Sequence, residues 1–166
     1  MVPGYSFENR DEEHVSHNSC FSTCYASNVN DICVAEQKDT VTANELKYNL
    51  QSVNVTIPIG VTASGASVDE FPALNGLKIS VGRLEMDRGG FFPMHTHPGG
   101  HEILIVVQGE ITVGIVTPTK AYVNALKPGE LMALPQALMH FLVNSGKGKA
   151  VAYAIYGSAR PRFSST

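Results

Sequence analysis

The 166-residue sequence has no tryptophan, few charged residues and no long hydrophobic run. Charged residues make up only 16% of the chain, and the formal net charge at pH 7 is −3. A disordered chain, a coiled coil or a basic nucleic-acid-binding protein would carry more charge, so these classes are excluded and no nucleic-acid partner is expected. The apolar runs are short, as at 103–107. A membrane span needs about 18 apolar residues, so we predict none.

Cysteine is also scarce, and its positions limit what it can do. Cys20, Cys24 and Cys33 match no common zinc or redox spacing, and an odd number leaves at least one thiol unpaired or intermolecular. One disulfide would require an oxidising compartment. The first ten residues lack the apolar core of a secretory signal, so the chain is cytosolic or begins after, or without, its signal.

Hydrophobic alternation predicts a fold of short strands. Leu77, Ile79 and Val81 alternate with polar residues, and further apolar runs recur about every ten residues between Gly- and Pro-containing turns. These runs are 102–107, 111–116, 121–126, 131–134, 139–143 and 151–156. Residues 42–51 have the spacing of a helical turn capped by Thr42. Because no helical segments separate the strands, we predict an antiparallel, closed or nearly closed double-sheet β-barrel.

Three histidines and one glutamate form the sharpest chemical pattern. In an extended segment, His95 and His97 lie on one face, and Glu102 follows a Pro-Gly-Gly turn that can fold its carboxylate back beside them. His140 lies in an apolar run, where an unsatisfied imidazole would cost roughly 1–3 kcal/mol. Together they make a mixed N/O site suited to Mn, Fe, Zn or Ni. His101 is predicted to be a solvated loop residue outside this site.

Each of these residues also has an ordinary structural interpretation. An isolated His-x-His pair is common on surfaces, a single buried histidine is more often a satisfied core residue, and Glu102 could simply begin a strand. The combination of the four residues is what favours a metal site.

The spacing around these residues resembles the two cupin motifs. The first is filled by Gly89, His95, His97, Glu102 and Gly109, and the second by Gly129, Pro135, His140 and Asn144. The more specific resemblance is to plant germins and germin-like proteins, through the segments 31–35, 71–77, 95–98 and 135–141. It implies an all-β cupin jelly-roll barrel, which we assign to residues 31–160, with a short tail at 161–166. The polar composition of residues 1–30, with little apolar periodicity, separately predicts a mobile, irregular N-terminal arm.

The resemblance also implies a function. By this resemblance, each subunit would bind one Mn(II) ion, with Fe or Zn as alternatives. The ligands would be His95, His97, Glu102 and His140, supported by Asn144. An alternative role for Asn144, of equal weight, is a turn amide that satisfies backbone groups. Family members are typically secreted, apoplastic and glycosylated hexamers with superoxide dismutase activity and roles in plant defence or stress responses. We therefore predict a dismutase acting on superoxide; the alternatives are an oxalate oxidase that releases hydrogen peroxide and a non-catalytic extracellular binding or receptor protein.

The sequence departs from the germin pattern near the predicted site. The two asparagines that help hold the substrate in oxalate oxidases align with Gly82 and Phe92, which cannot donate a side-chain hydrogen bond, so oxalate oxidation is disfavoured. Ala137 stands where the second motif usually has glycine, a mild change unless that position needs a positive φ.

Further departures concern processing and assembly. Cys33 has no cysteine after it, so the family disulfide would have to join it to Cys20 or Cys24. Asn54 begins a glycosylation sequon, which matters only if the chain enters the secretory pathway. The helical C-terminal region that interlocks family subunits is truncated here. We therefore expect a weakened hexamer, with a homodimer through the barrel faces as the alternative.

Overall fold

The computed structural model describes residues 42–51, 54–57 and 59–165. The predicted N-terminal arm, all three cysteines and the germin-like segment at 31–35 lie outside the described residues. The segment 42–51 contains a turn, as predicted, in which the Glu45 N–H donates to the Thr42 carbonyl at 3.1 Å.

Strands dominate the described part of the chain, and the turns between them coincide with Gly and Pro residues. The strands are β1 (Asn54–Ile57), β2 (Val61–Ala66), β3 (Ser80–Met86), β4 (Phe91–Thr96), β5 (Glu102–Gln108), β6 (Ile111–Val116), β7 (Ala121–Leu126), β8 (Leu131–Leu134), β9 (Met139–Asn144), β10 (Ala150–Tyr156) and β11 (Ser164–Ser165). A 3₁₀ turn covers Pro72–Leu74. The described residues contain no helix with the length and apolar character of a transmembrane span.

Two antiparallel sheets pack face to face. One has the strand order β1-β2-β3-β10-β5-β8 and the other β11-β4-β9-β6-β7. Neighbours within each sheet are mostly distant in sequence, so the chain passes repeatedly from one sheet to the other. This arrangement is a jelly roll and confirms the predicted antiparallel, double-sheet fold.

The core lies between the sheets, because every second residue of the central strands points inward. Along β6, the inward positions Ile111, Val113 and Ile115 are buried, and Leu142 of β9 and Leu104 of β5 meet them. Each such side chain stabilises the fold by about 1.5–3 kcal/mol through burial. The same inward alternation carries polar side chains into the interior near one end of the barrel.

The prediction that a strand begins at Leu77 is wrong. β3 starts at Ser80, and Leu77 and Ile79 are 58% and 49% exposed. Lys78 lies between them with φ 56°, a left-handed conformation that interrupts an extended chain. The alternation at 77–79 therefore reflects a turn.

Ala137 lies in the turn between β8 and β9 with φ 61°. This is the positive φ under which the change from the family's glycine is costly, because a Cβ disfavours the left-handed region. The strained turn is tied to the polar end of the barrel, since the Ala137 N–H donates to the His97 carbonyl at 3.2 Å.

We expect Ala137→Gly to stabilise the protein by about 1 kcal/mol, since it relieves the positive-φ strain. Equilibrium denaturation in guanidinium chloride measures the change. Ala133→Gly, in strand β8, is the matched control and should destabilise by roughly 0.5–1 kcal/mol. Equal destabilisation by both variants would contradict the assignment of strain to Ala137.

Candidate metal centre

The polar groups inside the barrel come from both sheets. His95 on β4 is paired in register with His140 on β9, and the ladder is irregular between Phe92 and His95. The two imidazole rings therefore lie with their centroids 4.2 Å apart. His97 follows the end of β4, and Glu102 begins β5 in the opposite sheet.

The structure brings the four predicted ligand residues together. One nitrogen from each histidine lies within 4.8 Å of the others. The Glu102 Oε2 atom is 3.3 Å from His97 Nε2 and 3.5 Å from His140 Nε2. All four residues are buried. Three buried histidines in this arrangement can bind a metal ion, and Glu102 adds an oxygen ligand beside them.

Hydrogen bonds fix which nitrogen of each ring faces the centre. The Nδ1 atom of His95 donates to the Pro93 carbonyl at 2.7 Å, and that of His140 to the Leu138 carbonyl at 2.8 Å. The His97 Nδ1 donates to the Arg162 carbonyl at 2.5 Å. Because a carbonyl can only accept, each Nδ1 carries the hydrogen and leaves the Nε2 lone pair free.

Two of the inward atoms have no hydrogen-bond partner among the described residues. These are Glu102 Oε2 and His140 Nε2, both fully shielded from solvent. An unsatisfied buried acceptor costs about 1–3 kcal/mol, and more where the group is charged. A cation bound between them would satisfy both lone pairs, so these residues fit a transition-metal ion, although the donor set suits Mn, Fe, Zn and Ni alike.

Burial sets the charge state of the site. Desolvation lowers the pKa of His95 to about 3 and also lowers the pKa of His97. Desolvation, with the nearby Glu102 carboxylate, raises the pKa of the Tyr156 phenol well above its usual value. The imidazoles of His95 and His97 are therefore neutral at physiological pH, as metal ligation requires.

The lowered pKa of His95 predicts acid instability of the metal-free protein. The unfolded chain takes up this proton near pH 6.5, whereas the folded protein does so only near pH 3. The stabilising contribution of neutral His95 is therefore complete above pH 6.5 and is lost as the pH falls toward 3. Denaturation of chelator-treated protein across this range measures it. Stability that stays flat or rises on acidification would contradict the prediction.

A cavity of about 610 Å³, lined in part by His95, His97 and Glu102, opens toward solvent. Aromatic rings form its wall beside the histidines. Phe163 stacks on the His95 ring at 4.9 Å, Phe92 lies 4.6 Å from the same ring, and Tyr156 lies 4.8 Å from the His97 ring. The approach to the histidines is therefore largely apolar.

Comparisons with known proteins agree with this architecture. The cupin family profile matches residues 48–166. Germin-like protein 1 of Brassica napus is 40% identical, with 80% of this chain and 72% of that protein covered. The chain belongs to the germin-like proteins of the cupin family.

Two further relatives bear on function. The auxin-binding protein ABP19a of Prunus persica is 38% identical, with 84% of this chain and 74% of that protein covered. The solved structure of a recombinant oxalate oxidase in complex with glycolate is 29% identical, with a TM-score of 0.72 and coverage of 85% of this chain and 73% of that one.

Asn144 of the germin-like chain lies on the inward face of β9, but away from the imidazoles. Its amide nitrogen donates to the carbonyls of Met86, Asp87 and Gly148 at 2.8–2.9 Å. Its oxygen accepts from the Gly146 N–H at 3.0 Å. Within the described chain none of these partners is a candidate ligand, so the amide satisfies backbone groups, the alternative that the sequence offers.

Two other residues singled out in the sequence lie at the surface. His101 is exposed and accepts a hydrogen bond from the Gln136 N–H at 3.0 Å, so it stays outside the site. Asn54 is exposed at the first position of β1, where its sequon is accessible.

The last described residues cover the site, a feature that sequence reasoning missed. The Gly99 N–H donates to the Pro161 carbonyl at 2.9 Å, and β11 pairs with β4 opposite His95 and Thr96. This strap, residues 161–165, supplies the Arg162 carbonyl that orients His97 and the Phe163 ring that stacks on His95. A lone phenylalanine among polar residues carries no periodic signal that could have revealed it.

Removal of residues 161–166 should therefore weaken metal binding. Loss of a partner that orients a metal-bound histidine typically lowers metal affinity by roughly 10–100-fold. Competition with a chelator measures the affinity. Arg162→Gly is the matched control, because glycine keeps the carbonyl and accepts the φ of 55° at this position. If the truncated protein folds poorly, Phe163→Ala tests the stacking contact alone; full affinity in both altered proteins would contradict the role of the strap.

Proposed function

We propose that this germin-like protein binds one Mn(II) ion per subunit through His95, His97, Glu102 and His140 and dismutates superoxide. The proposal is carried by one nitrogen from each of three buried histidines within 4.8 Å of the others, with the Glu102 Oε2 atom 3.3 Å from His97 Nε2 and 3.5 Å from His140 Nε2. Fe or Zn is the alternative metal. When bound, manganese would supply the exchange between the +2 and +3 states that dismutation requires.

The protein's own residues prepare the site for that chemistry. Backbone carbonyls accept from the Nδ1 atoms of the three imidazoles and hold each ring in one orientation. Glu102 provides the carboxylate that would favour the higher oxidation state of the metal. The aromatic rings make the wall beside the histidines apolar, and the cavity is large enough to admit a small anion. Superoxide is such an anion.

The positions that depart from the oxalate oxidase pattern support this choice of substrate. Gly82 and Phe92 both line the cavity. Neither side chain offers a hydrogen bond to the carboxylates of oxalate. A similar solved structure, an oxalate oxidase, is in complex with glycolate, which is a small carboxylic acid. Release of hydrogen peroxide from oxalate by this protein would therefore favour the oxalate oxidase alternative.

His140→Ala should abolish stoichiometric metal binding and, with it, superoxide dismutase activity. The variant removes one of four ligands and leaves a cavity beside the Glu102 carboxylate. Elemental analysis of purified protein and a superoxide assay measure the two effects. His101→Ala is the matched control, since it deletes an exposed imidazole near the same turn. Wild-type protein without a transition metal, or unchanged metal content in His140→Ala, would overturn the proposal.

A non-catalytic binding or receptor protein is the second candidate function. Its supporting observations are the relative named as an auxin-binding protein and the aromatic-walled cavity. Such a protein would hold the metal as a structural element and bind a ligand without turnover. Metal-loaded protein that binds an aromatic carboxylate but shows no dismutase activity would favour it.

Family membership supports an extracellular, apoplastic location with a role in defence or stress responses. Glycosylation at Asn54 fits that location, because the side chain is exposed. Assembly into a homo-oligomer is supported by apolar side chains on the outer face of the six-stranded sheet, where Ile103 and Ile155 are paired neighbours and Leu131 lies nearby. These three residues are 42%, 46% and 56% exposed.

A further inference from the structure

Tyr156 occupies a position beside the candidate ligands that neither cupin motif includes. It is the last residue of β10 and is paired in register with Glu102 of β5. Cross-strand partners in register place their side chains on the same face of a sheet, so the phenol and the carboxylate both point between the two sheets. The phenol ring contacts the His97 imidazole, with centroids 4.8 Å apart and planes tilted by 60°.

The Tyr156 side chain is half-buried and lines the cavity. Its hydroxyl makes no hydrogen bond to another described residue and is not sealed from solvent. The hydroxyl is therefore accessible to a small molecule in the cavity, to which it can donate a hydrogen bond.

Gly82 explains why the hydroxyl can reach this position. A Cβ at Gly82 would lie 3.6 Å from both the Tyr156 hydroxyl oxygen and the adjacent ring carbon. That is ordinary contact distance, so a longer side chain at position 82 would compete with the phenol for the same space. Glycine in place of asparagine at position 82 removes an amide donor from the cavity wall and leaves room there for the Tyr156 hydroxyl.

We propose that the Tyr156 hydroxyl donates a hydrogen bond to a small anion bound in the cavity beside His97 and Glu102. This inference rests on the proposed metal-dependent function. Gly82 and Phe92 replace the two asparagines that hold the substrate in oxalate oxidases, and Tyr156 would supply a hydrogen-bond donor in their place. The ligand class is an anion of two or three heavy atoms with an acceptor atom directed away from the four ligands. Superoxide belongs to this class, and the apolar rings of Phe92 and Phe163 disfavour a larger polar acid.

Tyr156→Phe tests the proposal, because it removes the hydroxyl and keeps the ring against His97. The probe is azide, titrated into Mn(II)-loaded protein while the electron paramagnetic resonance spectrum of the metal is recorded. A hydrogen bond to a charged group is worth enough to weaken azide binding by roughly tenfold to hundredfold when it is lost. Metal content should stay at the wild-type level, and KM for superoxide should rise more than kcat falls.

Tyr153→Phe is the matched control, since Tyr153 lies on the same strand but points to the opposite face of the sheet, and it should leave azide affinity unchanged. If Tyr156→Phe takes up metal and binds azide as tightly as wild type, the inference is wrong and the proposed function stands. If wild-type protein takes up no metal, the proposed function fails and the inference fails with it.

Discussion

The structure depends on placing one carboxylate and three imidazoles inside an otherwise apolar barrel. Glu102 and His140 are only 3% and 2% exposed, and each presents an inward atom without a hydrogen-bond partner in the described chain. A fold selected for stability alone would fill this space with aliphatic side chains, as it does around Leu104 and Leu142. A cation bound between these two atoms would offset the free-energy cost of burying them.

Orientation of the imidazoles divides into a local and a non-local part. His95 and His140 each donate from Nδ1 to the carbonyl two residues earlier in the chain, that of Pro93 within β4 and that of Leu138 just before β9, so their orientation is set locally. His97 lies beyond the end of β4 and depends on the Arg162 carbonyl, 65 residues away. The strap is therefore most important for His97, because β4 ends before this residue.

Sequence patterns predict the second half of the fold well and the first half poorly, for physical reasons. The runs at 111–116 and 121–126 coincide with β6 and β7, because each apolar run is bounded by Gly or Pro. In β2, Thr, Ser, Gly and Ala give too little contrast between the faces of the strand for a prediction. The four ligand positions follow from motif spacing, whereas Tyr156 and Phe163 reach the site through sheet pairing and a distant turn, which spacing does not encode.

The aromatic wall and the ligand set constrain each other. Phe163 and Phe92 pack on the His95 ring, and burial by such neighbours is what lowers the pKa of that imidazole and keeps it neutral. A more polar wall would hydrate the site and ease protonation of the ring, in competition with the metal. Phe92, in place of the asparagine of oxalate oxidases, therefore has two consequences. It removes a hydrogen-bond donor for a dicarboxylate, and it shields the His95 imidazole from water. In the proposed function, selectivity for a small anion and retention of the metal would both depend on the same apolar contact.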